Sequence, residues 1–251
     1  MKGRDVFCLI SAFFVISLIG SATVNAQSSA GLIFAMTFDG GSGSVVHDLS
    51  GNGNHGEVVG TVDWVPGKNG DAFHLDGATH ITVPNAEPLS QLTHPMSVGL
   101  WIYPDELGGW RSILEMDGDA GWKIGTHSTG DVVVWTTYHV QDFGAATPIL
   151  AGRWTHIAAT WDGSTALIYV NGVLDATIPG SGVIDVSGVP TLDIGYRSTS
   201  GASWFLGSVD DVFIYDKVLS QEEVAGLMSG LSALSVEPGN KATTTWGALK
   251  R

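Results

Sequence analysis

Two adjacent carboxylates stand inside the most apolar strand-like stretch of the chain, and that stretch constrains the fold more than any other. In residues 205–230, FLGSVDDVFIYDKVLSQEEVAGLMSG, the apolar Leu206, Val209, Val212, Phe213, Ile214 and Tyr215 fall on both faces of an extended segment. That pattern predicts a strand covered on both sides. Ser220 then opens a short helix, Glu223 completes a capping box three residues on, and Gly230 stops it. Burying an unpaired carboxylate costs several kcal/mol, on the order of a whole domain's net stability. Asp210 and Asp211 therefore require a partner from elsewhere in the chain. Asp211, with Val209 and Phe213 on its own side of the strand, is expected to be partly desolvated.

The rest of the chain carries no other long segment of helical period, and its 34 Gly argue for many turns. Strands are expected at 32–38, 72–75, 80–83, 96–103, 111–115, 122–127, 131–139, 154–161, 165–170, 173–178, 192–196 and 205–215. Asp-Gly at 117–118 and 162–163 and Asn-Gly at 171–172 are hairpin turns, the last joining two strands in the clearest hairpin of the sequence. Many short antiparallel strands without intervening helices mean a sandwich or barrel. Within 96–103, Met96, Val98, Leu100 and Ile102 form one face, and Ser97, Gly99, Trp101 and Tyr103 the other. Two faces of different character suit a sheet that packs on its inner side and meets solvent or a ligand on the other. Trp101, Trp154 and Trp161 are read as packing residues.

At the N-terminus, Lys2 and Arg4 precede an apolar run at 6–19, and Val24-Asn25-Ala26 has the small residues of a cleavage site. Residues 1–26 are thus expected to be a secretory signal peptide. The apolar run falls short of the ~20 residues that a transmembrane span needs, so no span is expected in the mature chain. Cys8, the only cysteine, lies in that segment, which leaves no disulfide or thiol chemistry. Removing 1–26 leaves 11 − 2 = 9 basic and 25 − 1 = 24 acidic residues, a formal charge of −15 with His neutral. Such a balance argues against nucleic acid as a partner. It suits a hard cation such as Ca²⁺, which takes carboxylate and carbonyl oxygens. From 229 to 251 the composition shifts to Pro, Gly and small polar residues, read as a tail or one added short strand.

Six motifs, in order, carry a family resemblance. They are Phe38-Asp39 followed by the loop 48–56, DLSGNGNHG; 70–77, GDAFHLDG; 97–102, SVGLWI; 154–157, WTHI; 168–172, IYVNG; and 210–215, DDVFIY, with the helix that follows. Together they resemble the bacterial LamG-like, or concanavalin A-like, jelly rolls over residues 31–228. The resemblance implies an all-β sandwich of two antiparallel sheets with one short C-terminal helix, its first and last strands side by side. It also implies a structural calcium near these elements. Asp39 and Asp211 are the leading ligands, with Asp48, Asn52 and Asp76 as further oxygen donors. The competing reading has Asp48 close its own turn and the strand carboxylates accept backbone N–H groups.

For catalysis, Glu115-Met116-Asp117 begins the E-x-D-x-x-E pattern of jelly-roll glycoside hydrolases, but Ala120 stands in the third position. A retaining glycosidase needs two carboxyl groups about 5 Å apart, so no complete catalytic set is present. Trp110, Trp122 and Trp204 fall in Gly/Ser-rich loops or at strand ends, and with Arg111, Tyr138, His139 and Arg197 they can line a cleft. Each Trp either stacks on a sugar or another protein or plugs an end of the sandwich. The expected protein is a secreted, non-catalytic binding module for extracellular carbohydrate. The alternatives are a structural or adhesion module with a cell-surface protein partner, and a polysaccharide-cleaving enzyme. An acid pair facing a Trp-lined cleft favours the enzyme, and a flat apolar patch away from any cleft favours the protein partner.

Overall fold

Alternation of apolar and polar residues resolves into sixteen strands and one α-helix in the computed structural model, which describes residues 29–117, 120–127, 131–186, 188–189, 191–197, 201 and 203–234. The expected signal peptide and the tail from 235 onward lie outside the described residues. In chain order the strands are β1 (Leu32–Met36), β2 (Val45–Val46), β3 (Gly56–Val59), β4 (Trp64–Pro66), β5 (Asp71–Asp76), β6 (His80–Val83), β7 (Met96–Pro104) and β8 (Arg111–Asp117). Then follow β9 (Gly121–Thr126), β10 (Val133–Thr137), β11 (Asp142–Gly144), β12 (Thr155–Trp161), β13 (Thr165–Val170), β14 (Val173–Pro179), β15 (Leu192–Ile194) and β16 (Leu206–Tyr215). Helix α1 (Gln221–Leu227) closes the domain.

Two antiparallel sheets face each other. The first runs β14-β13-β12-β7-β16-β5-β4, with β1 also on β16; the second runs β11-β10-β9-β8-β15-β6-β3-β2. Their facing sides enclose the main core, in which Phe73, Leu75, Val98, Leu100, Leu114, Ile124, Trp135 and Ile194 are buried. The fold is the expected two-sheet jelly-roll sandwich. The Asn171-Gly172 turn joins β13 and β14, both residues taking the positive φ such a turn needs (50° and 75°).

Strand β16 is covered on both faces, as its composition predicts. Its outer side, with Phe213 and Tyr215, joins a second cluster with Val224 and Leu227 of α1 and with Leu231 and Leu234 beyond it. Ser220 caps α1 through the Glu223 backbone N–H, and Glu223 returns the bond to Ser220 N–H. Both β1 and β5 pair with the same edge of β16, end to end. Residues 206–209 of β16 face β5, and 212–215 face β1. Asp210 and Asp211 stand at the junction where the partner changes.

Candidate functional site

The junction carries a β-bulge. The register of β16 against β7 shifts between Asp210 and Phe213, and Asp211 takes a φ of 47°. The bulge corrects one expectation. Val209 packs in the main core and Phe213 in the outer cluster, so the two flank Asp211 from opposite faces rather than sharing one. An extra residue in the strand changes the parity of everything after it.

The desolvation expected at this strand is present. Asp210 accepts the backbone N–H groups of Lys68 and Asn69, both at 2.9 Å, through Oδ2. Its Oδ1 is buried and has no hydrogen-bond partner among the described residues. Burial, and then the charge of Asp211, push the Asp210 carboxyl up to about 8. Asp211 accepts from the Asn69 side chain at 2.7 Å and from the Leu231 N–H at 3.2 Å. Burial raises it to about 6, against those two bonds and with the charge of Asp39 adding to the rise. Asp39 receives the Asp71 N–H at 3.0 Å, and a Cβ on Gly70 would run into its carboxylate. A cavity of about 140 Å³ adjoins it, lined in part by Phe38, Asp39, Gly41 and Trp64.

The other residues expected at a metal are placed elsewhere. Asp48 uses both oxygens to close its own loop, accepting from the Ala35, Ser50 and Asn54 N–H groups and the Ser50 hydroxyl. The Asn52 amide donates to Ile33 O. Asp76 caps a turn through the Ala78 N–H, opposite Leu206 and five residues along β16 from Asp211. Among the described residues, no three His, Cys, Asp or Glu side chains group as a metal cluster. A cation at the junction would thus rest on carboxylates from Asp39, Asp210 or Asp211 completed by backbone oxygens. The orphaned Oδ1 and the raised carboxyls fit such an ion.

The second candidate site lies on the outer face of the second sheet. A polar row crosses it in register: Glu57, Thr82, Asp193, Glu115, Lys123, Thr136 and Asp142, one per strand from β3 to β11. Its centre is buried, with Glu115 0 %, Asp193 4 % and Lys123 8 % exposed, and Ser112 Oγ donates to Glu115. Toward the Arg111 end of β8 stand the aromatic rings. Tyr196 and Trp204 lie 4.2 Å apart between centroids, and His80 lies 4.8 Å from Tyr196. Burial lowers the His80 pKa while the charge of Asp193 opposes the shift.

Trp110, 42 % exposed, meets His127 at 4.2 Å, with Lys123 Nζ 5.6 Å over its ring. Arg111 links the two groups, donating to Trp204 O at 3.2 Å and to Glu106 at 2.7 Å. The Arg197 guanidinium lies 5.6 Å from the Tyr138 ring.

Trp110, Arg111 and Trp204 of the expected binding set therefore meet on one side of the molecule, and Arg197 meets Tyr138. His139 is half-exposed and pairs with Asp185 at 3.7 Å. Trp122 does not join them. It is 1 % exposed, inside the main core at 6.5 Å from Trp135, because β9 begins at Gly121 and turns Trp122 inward. His80, Tyr196 and His127 had no local sequence signal. The pairing of β6 with β15 and of β8 with β9 assembles them.

The family model of the concanavalin A-like lectin/glucanases superfamily matches residues 75–225. No curated protein matches the chain. Among solved structures, it is similar to domain 4 of AbnA, a GH43 extracellular arabinanase from Geobacillus stearothermophilus, in complex with arabinotriose. The TM-score is 0.63 at 22 % identity, over 78 % of this chain and 98 % of that one. It is also similar to the binding domain of Paraclostridial Mosquitocidal Protein 1 (TM-score 0.65, 20 % identity, 80 % and 52 % covered). A third is the binding domain of botulinum neurotoxin DC in complex with rat synaptotagmin II (TM-score 0.60, 20 % identity, 80 % and 51 % covered). The chain spans about half the length of these toxin binding domains. No helix among the described residues is long and apolar enough to cross a membrane.

Proposed function

Because the chain belongs to the concanavalin A-like lectin/glucanases superfamily, we propose that it is a secreted, non-catalytic module that binds extracellular carbohydrate and carries a structural calcium. The observation that carries the proposal is the gathering of His80, Tyr196, Trp204, Trp110 and His127, from distant parts of the chain, on one outer face. Partly exposed rings offer apolar faces to sugars, and polar atoms beside them fix orientation. The arabinotriose bound to domain 4 of AbnA supports carbohydrate as the ligand class.

Calcium would be held by Asp39 and Asp211, with backbone oxygens completing the shell. It would supply positive charge where two buried carboxyls repel each other, tying the ends of the domain together.

Glu115 and Asp193, opposite each other on β8 and β15, are the acid pair that favours an enzyme. Their burial argues against that use, since a glycosidase acid must reach the glycosidic oxygen. A protein partner is the second reading, supported by the synaptotagmin II complex of the neurotoxin domain.

A glycan array probed with the mature chain, with and without calcium, tests the proposal. Selective glycan binding is expected, with β-glucan reducing ends staying at background. Hydrolysis that disappears on Glu115→Gln would place the protein among the enzymes, and an array without signal would favour the protein partner.

A further inference from the structure

We infer that the ligand is an extended glycan chain lying across the strands, bound along its interior rather than by an end. The inference rests on the carbohydrate reading above. The buried row Asp193–Glu115–Lys123 takes the centre of the outer face out of contact with a ligand, which leaves the rim at the Arg111 end of β8.

The residues along that rim follow strand order. Trp110 and His127 stand at β8 and β9, Tyr196 just past β15, His80 on β6 and Val59 on β3. Val59 pairs with His80, shares its face and is 45 % exposed, so the apolar line continues past the last ring. From β9 to β3 there are four strand spacings, about 19 Å at ~4.8 Å each, the length of about four sugar units.

Among the described residues, both ends of this line are exposed. At one end Val59 and, on the neighbouring two-residue β2, Val45 are exposed; at the other, where the sheet runs on through β10 and β11, Trp110 is exposed. A row of apolar surfaces open at both ends admits a chain passing through, whereas recognition of a chain end requires a wall against it.

Titration calorimetry with arabino-oligosaccharides and β-1,4-xylo-oligosaccharides of one to six units tests the inference. Affinity is expected to climb with each unit up to about four, where the spacing of the strands sets the limit, and to stay level beyond. Borohydride-reduced chains should bind as well as intact ones. Trp110→Ala and Val59→Ser, at the two ends of the line, should each weaken the hexasaccharide several-fold and shorten the chain length at which affinity levels off. Full affinity at one or two units, or loss of binding on reduction of the end, would overturn the extended-chain mode while leaving carbohydrate binding intact. Failure of every oligosaccharide, alongside an array without signal, would overturn the carbohydrate reading itself.

Discussion

In the absence of a cation, the carboxyl of Asp210 makes the stability of this domain fall as pH rises. Burial and Asp211 raise it from 3.8 to about 8, a change of about 4 units, or about 5 kcal/mol at 1.36 kcal/mol per unit. A carboxyl raised in the folded state contributes its full stability below the unfolded pKa and loses it as pH climbs through the folded one. The window here runs from about 4 to about 8. Between pH 5 and pH 8 the loss is about 4 kcal/mol, or roughly 8–16 °C in Tm for a domain of this size. The proposed calcium would favour the ionised carboxylates and oppose the loss, by about 2.7 kcal/mol at a hundredfold excess over Kd.

Calorimetric melts at pH 5, 6.5 and 8, in EDTA and in millimolar calcium, measure the effect. The chelated wild type should melt progressively lower with pH, and calcium should recover much of the difference at pH 8. Asp210→Asn should flatten the upper part of the slope, leaving the part below about 6 that belongs to Asp211. Asp211→Asn should remove the calcium response. A chelated wild type with the same Tm at all three pH values would refute the reasoning, and identical curves with and without calcium would end the metal proposal.

Other parts of the fold make sharper, smaller predictions. His74 meets Asp63 at 3.1 Å through Nδ1 and Asp105 at 2.9 Å through Nε2. Burial lowers its pKa, but the two carboxylates together outweigh that and raise it. The stability it adds is complete below the unfolded pKa near 6.5 and disappears as pH rises through the higher folded value. Being partly exposed, the clamp is worth about 1 kcal/mol at most. His74→Gln should therefore cost stability at pH 5.5 and nothing at pH 9, as read by urea melts. Gly125→Ala would drive a Cβ into the Arg111 carbonyl and should cost about 1–3 kcal/mol. It should also disturb the tryptophan fluorescence of the Trp110 region, an effect that a change in a remote loop would not produce. Ser220→Ala removes the capping box of α1 and should cost about 1 kcal/mol, measurable as a shift in the denaturant midpoint without a change in slope.

Local signals made much of the architecture legible. Alternation and turn chemistry place strands 80–83 and 165–170 at their observed bounds, and the capping box at Ser220–Glu223 forms as read. Four strands escaped: β2, β3, β4 and β11 hold two to four residues each, and unlike β6 of similar length they lack full alternation, three of them carrying Gly or Pro. The sites were less legible for two physical reasons. A one-residue bulge moved Asp211 off the face that strict alternation assigns it, and no local composition marks a bulge. Ring clusters depend on which strands become neighbours. His80 and Tyr196 are separated by more than a hundred residues and meet only because β6 pairs with β15. Trp122 shows the opposite case: its neighbouring Gly121 and the turn before it suggest a loop, but β9 starts there and its register against Thr137 buries the ring.

The proposed carbohydrate site is tested most directly by comparing the wild type with the double variant Trp110→Ala, Trp204→Ala in calorimetric titration against a glycan selected on the array. Each stacking contact is worth on the order of 1 kcal/mol, judged by aromatic pairs. At least a tenfold weaker affinity is expected, with the melting temperature within a few degrees of the wild type. Unchanged affinity in a folded double variant would contradict it.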